Sequence, residues 1–180
     1  MKDTQTILKE NMTVGEYAAE FQQADLPGLV NGLYDEIAAT LSGASDQDVT
    51  FVPENPEANA PPGEGWTLGH VIVHVTAGVE EAAALSSALA RGVEVDWRSR
   101  WETPWETITS ASQLQQRLAE SRRMVLAFLN TWPDEPHLDL TYTPVERFGP
   151  VNAVGRMLFG MMHGQGHLAQ LQRIREQAEG

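Results

Sequence analysis

The chain has no cysteine among its 180 residues. That excludes disulfide staples, thiolate metal ligands and a sulfur nucleophile borne by the protein itself. Basic residues are scarce as well: 12 lysines and arginines stand against 25 aspartates and glutamates, a formal net charge of −13. A surface of that sign lacks the positive footprint required by a nucleic-acid backbone. It is equally ill suited to an anionic membrane surface. No apolar run approaches the roughly 18 residues of a membrane span, and residues 1–30 hold no apolar stretch of the secretion-signal kind. A cytoplasmic location is the expectation. Neither a GxGxxG turn, nor a phosphate-binding P-loop, nor a GxSxG elbow occurs, which removes nucleotide-binding and serine-hydrolase readings.

What remains is an ordinary globular composition, 42% hydrophobic and 21% charged, read as one domain over residues 1–180. Apolar residues recur at helical spacing in four long stretches. The first carries Leu26, Val30, Leu33, Ile37 and Leu41, with Pro27 suited to its first turn and Gly43 to its end. The second runs from an N-capping Thr67 to about Arg91, before Gly92. A third covers Ser112 to about Thr131. The last begins near Asn152 and continues to about Ala178. Ahead of these, Thr13 and Glu16 form a capping-box pattern for a short helix over Thr13–Gln22, so residues 1–25 read as an extension. Ala44–Gly65 reads as a Pro- and Gly-rich loop with at most three strand residues. Residues 133–150 read as irregular, with a short extended piece in HLDLTYT. These elements predict an all-α fold, a four-helix bundle with its core over about 26–178.

Four of the five histidines fall into two HxxxH units: His70 and His74 on the second long helix, His163 and His167 on the last. On a helix, i and i+4 stand one above the other, with Cβ atoms about 5–6 Å apart. Two imidazoles so placed can bind one ion at ~2.0–2.1 Å, and a third from a facing helix completes a triad. At ~100° per residue His163 and His167 are about 40° apart, in a sector shared with Phe159, Leu171 and Ile174. His70 and His74 are flanked by Val71, Val75 and Leu85 in the same way. Inward imidazoles without partners are costly, and a shared ion removes that cost. Neutral imidazoles suit zinc, nickel, cobalt, copper or iron rather than magnesium or calcium. A pair of satisfied or exposed histidines is the competing reading of each HxxxH unit. His137, in a Pro-flanked loop, reads as a surface residue.

The segment WTLGHVIVHV and the later HGQGHLAQL together resemble the DinB/YfiT-like superfamily of metal-binding four-helix bundles. In that superfamily a Trp-Ser/Thr pair opens the second helix and a ligand histidine lies eight residues beyond the Trp. Here that register leads from Trp66 to His74. The closing HxxxH followed by an apolar residue and a Gln matches His163, His167, Leu168 and Gln170. The resemblance implies a triad of His74, His163 and His167 around a divalent transition metal, zinc or nickel first, then iron, cobalt or copper. His70, at a position often acidic or amide in relatives, becomes an additional ligand, an orienting partner or a general base. The resemblance also implies an activity for some members: thiol-dependent S-transferase or isomerase chemistry, with a low-molecular-weight thiol as cosubstrate and a small-molecule substrate. The alternative is a binding protein in which the ion mainly stabilises the bundle.

Six further side chains carry expectations. Trp97, Trp101 and Trp105 read as a hydrophobic plug or dimer contact, or as a wall over the bundle mouth. Glu81, seven residues past His74, reads as a solvated residue or as a carboxylate orienting a ligand imidazole. Gln170 is placed to hydrogen-bond metal-bound water. Arg156 reads as a surface ion pair or as the partner of an anionic substrate. A homodimer is the expected assembly.

Overall fold

The computed structural model describes residues 1–54 and 65–180. Among them are eight α-helices and no β-strand, so the all-α expectation holds. The helices are α1 (Thr4–Lys9), α2 (Val14–Ala18), α3 (Leu26–Thr40), α4 (Asp46–Thr50), α5 (Leu68–Ala90), α6 (Ala111–Leu129), α7 (Ala153–Gly166) and α8 (Leu168–Glu179). That is more than the four long helices foreseen. The surplus comes from three short helices near the N-terminus and from a break in the last long one.

Local capping explains most of the boundaries. Thr67 Oγ1 accepts the His70 N–H at 3.2 Å and opens α5 where the sequence places it. Ser110 and Gln113 form a capping box that starts α6. The foreseen box at Thr13 and Glu16 is present too, with Glu16 accepting the Thr13 N–H at 2.7 Å. The helix it opens is shorter than Thr13–Gln22, and α1 precedes it. A third box, between Ser45 and Asp48, nucleates α4 inside the stretch read as loop. The rest of that loop, 55–64, lies outside the described residues. The extended piece around HLDLTYT reduces to a single antiparallel bridge between Tyr142 and Val151.

Core packing then sets which helices meet. α5 is buried along nearly its whole length and packs on α6 and α7, while α3 closes the other side against α6, α7 and α8. At Gly160 a Cβ would stand 2.2 Å from the Ala82 Cβ, so the α7 backbone lies directly on α5. Polar ties cross the remaining seams: the Tyr34 and Ser121 hydroxyls at 2.7 Å between α3 and α6, and Arg117 on Glu80 at 2.7 and 2.9 Å between α6 and α5.

The last helix does not run unbroken from Asn152 to Ala178. It stops at Gly166, passes through His167 (φ −87°, ψ −8°) and restarts at Leu168. Two glycines within three residues weaken this turn. One of them, Gly164, is pressed against Leu33, Val75 and Val79.

Candidate metal centre

His74 projects from the second turn of α5, His163 from the last turn of α7, and His167 from the α7–α8 junction. The contact of α7 on α5 brings all three together. One ring nitrogen of each lies within 4.8 Å of the others, and all three residues are half-buried. His74 Nε2 and His163 Nε2 are 3.1 Å apart. Ring centroids are separated by 5.1 Å for His74 and His163, 5.1 Å for His74 and His167, and 4.7 Å for His163 and His167.

The far nitrogens decide where the protons sit. Gln170 Oε1, an acceptor, lies 2.6 Å from His167 Nδ1. That ring therefore donates from Nδ1 and turns Nε2 inward. Gln170 is thus an orienting partner of a histidine rather than a partner of bound water. His74 Nδ1 has two neighbours, Arg100 Nη2 at 2.8 Å and Glu102 Oε1 at 3.2 Å. Arg100 only donates, and it also donates to the His74 carbonyl at 2.8 Å. With Arg100 on Nδ1, the His74 proton stands on Nε2 and points at His163. With the proton on Nδ1, Glu102 accepts it and Nε2 is free for an ion, the carboxylate–histidine arrangement found around bound metals.

Burial pushes the His74 pKa down to about 3, helped by Arg100 and by the neighbouring histidines. Burial likewise pushes His163 to about 3, followed by the effects of His167, His74 and Arg100. Both rings are neutral near pH 7, with a lone pair to offer. Two imidazoles bound to one ion at ~2.0–2.1 Å hold their nitrogens about 3 Å apart, close to the 3.1 Å found between His74 and His163. The donor set, its protonation and its spacing fit a divalent transition metal.

His70 stands outside this group. Its ring is stacked between Trp66, at 4.4 Å between centroids, and Trp105, at 4.7 Å and 2° between planes. Trp66 continues across the centre, 4.7 Å from His74 and 6.2 Å from His167. Trp66 is a wall of the site and Trp105 stacks on His70 behind it, whereas Trp97 and Trp101 are exposed, Trp101 to 85%. Glu81 is neither solvated nor set against a histidine. It is 6% exposed and accepts from Arg98 at 3.4 and 3.5 Å and from the Ser99 N–H at 3.1 Å, with Arg156 at 3.5 Å. Arg156 is buried rather than superficial. His137 is exposed, as foreseen.

The sequence reading did not find Arg100 and Glu102. Both lie in the Trp-rich connection between α5 and α6, a non-helical segment with no periodicity to place them. Their alternation in RWE, a cation and an anion two residues apart, was the one available signal.

An all-helical chain with three convergent imidazoles on two packed helical segments defines the class. A family model described as DinB superfamily matches residues 29–171, and the chain belongs to that superfamily. Neither a curated protein nor a solved structure matches it significantly. No described helix is long and apolar enough to cross a membrane.

Proposed function

We propose that the protein is a metal-dependent enzyme of the four-helix-bundle kind, with α3, α5, α6 and the α7–α8 pair as its four helices. In this reading His74, His163 and His167 hold a divalent transition metal, zinc or nickel before iron, cobalt or copper, and His70 is a wall rather than a ligand. The carrying observation is the convergence of one ring nitrogen from each of three histidines within 4.8 Å of one another. Three protein ligands leave open positions, as catalytic sites do. Bound there, the ion would lower the pKa of a low-molecular-weight thiol or a water enough to make it a nucleophile near neutral pH. The chain's own residues do the rest. Gln170 holds the His167 proton on Nδ1, Glu102 receives that of His74, and Trp66 with Trp105 excludes water from one side. A thiol brought by a cosubstrate accords with a chain that has no cysteine, and with a reducing cytoplasm as its location. The small-molecule substrate, the cytoplasmic location and a homodimer belong to the same proposal.

Metal analysis of the purified wild type, His74→Ala and His163→Ala is the test. One ion per wild-type chain, lost in both variants, is the expected result. Wild-type protein without stoichiometric metal ends the proposal. Thiol transfer to an electrophile, assayed with and without chelator, separates turnover from stapling: metal that binds and stabilises without chelator-sensitive transfer assigns the ion to stability alone.

A further inference from the structure

A cavity of about 230 Å³ opens beside His163, walled by Arg98, Arg100, Arg147, Arg156 and the carboxylate of Glu81, with Arg100 also paired to Glu102 at 2.7 Å. Four of the chain's 12 basic side chains converge here, although the protein as a whole carries −13. The Glu81 carboxylate is divided between Arg98 and Arg156, so it cannot neutralise both. Arg156 is 5% exposed, and its Nε has no hydrogen-bond partner. A buried guanidinium with an idle donor and a shared counter-charge is incompletely satisfied, and an anion would complete it. Phe148, Phe159 and Val145 supply an apolar face in the same cavity. A neighbouring cavity of about 500 Å³ shares Glu81, Arg98, Val145, Arg156 and Phe159 with it. Together they reach the size range of small-molecule sites.

We infer that this pocket binds the oxyanion group, carboxylate or phosphate, of a small substrate with an apolar body, and sets that substrate against the histidine centre. The inference rests on the proposed function for what happens at the histidines, but not for the binding itself. Guanidinium forks match carboxylate and phosphate oxygens in pairs. Arg156 and Arg98 supply donors at the far end of the pocket. Arg100 lies beside both the pocket and His74, so the anion and the centre share one wall. The excess of positive charge in a low-dielectric cleft also draws anions against the repulsion of an acidic surface.

Calorimetric titration of full-length protein with succinate, and separately with inorganic phosphate, tests this on chelator-treated and on metal-loaded samples. At least one of the two should bind to both samples, weakening as salt rises. Binding of succinate alone assigns a carboxylate, and binding of phosphate alone assigns a phosphate. Arg156→Gln should weaken binding by about 10–100-fold, the value of one lost charge-assisted hydrogen bond. Because Arg156 is buried, Arg98→Gln is the companion variant: its side chain is 77% exposed, its loss leaves the fold intact, and at least about a threefold weakening is expected. Wild type that binds neither anion overturns the inference, as does binding that both variants leave unchanged. A chain that binds metal but no anion loses this inference alone. One that binds the anion but no metal keeps the pocket and loses the proposed chemistry.

Discussion

The two HxxxH units have the same spacing and different fates. In the unbroken α5, only His74 reaches the centre, while His70, one turn earlier, is held between two indole rings. In the last helix both members reach it, because the chain turns at His167 and the rings close to 4.7 Å. Helical spacing puts two side chains on one face. Which of them meets a third ring depends on where the facing helix crosses and on what else occupies that face.

The sharpest way to break this comparison is to remove one histidine from each fate. His167→Ala should abolish stoichiometric metal binding, a larger loss than the roughly 10–100-fold caused by removing an orienting partner. His70→Ala should keep one ion per chain, with affinity within about tenfold. Inductively coupled plasma analysis and competition with a chromogenic chelator read both. Equal loss in the two variants would make His70 a ligand and restore the symmetry of the two units.

The orienting partners come next. Glu102→Gln and Gln170→Ala should each reduce metal affinity by about 10–100-fold while leaving the fold intact, measured by the same competition. An unchanged affinity in both would mean that the imidazoles are held by packing alone.

The crossing of α7 on α5 is what brings the units together, and Gly160 is where it is tightest. Gly160→Ala forces a methyl group into the Ala82 side chain and should cost about 1–3 kcal/mol in a denaturant melt. A neutral effect would show that the two helices have room to separate.

Protonation provides a further contrast. His74 and His163 are held near 3, against about 6.5 for the unfolded chain. Between those values the unfolded chain binds more protons, so the metal-free protein should lose stability as pH falls from about 6.5 toward 3. Urea midpoints at pH 7, 5.5 and 4.5 measure this, and the His74→Ala, His163→Ala double variant should show a shallower decline. For the same reason, His74 and His163 should keep their lone pairs for an ion well below the ordinary imidazole range of about 6.5. The smallest effect is expected at Gly166, where a Cβ would meet nothing within 4 Å. Gly166→Ala should be neutral or stabilising by up to ~1 kcal/mol in the same melts.

Much of this molecule was readable from local rules. Thr67 and the Thr13–Glu16 box act over three residues, so their caps stand where the sequence puts them. The register from Trp66 to His74 and the closing HxxxH selected the three histidines that converge. The break at His167 was not readable, because glycines in a helical pattern do not say whether the helix tolerates or yields to them. Packing of Gly164 against Leu33, Val75 and Val79 sets that outcome.

By itself, then, the sequence determined the four long helical stretches and their apolar faces, since capping and periodicity depend on neighbours along the chain, while the resemblance singled out His74, His163 and His167. Only the tertiary structure decided that His70 is stacked away from the centre, that Glu102 and Arg100 compete for His74, and that Arg98 and Arg156 share the Glu81 carboxylate. Several of those groups, Arg98, Arg100, Glu102 and Trp105, come from a segment without periodicity, and the partners meet across 17 to 75 positions of chain. Long-range electrostatic pairing and close packing bring them together, and neither leaves a mark in local sequence.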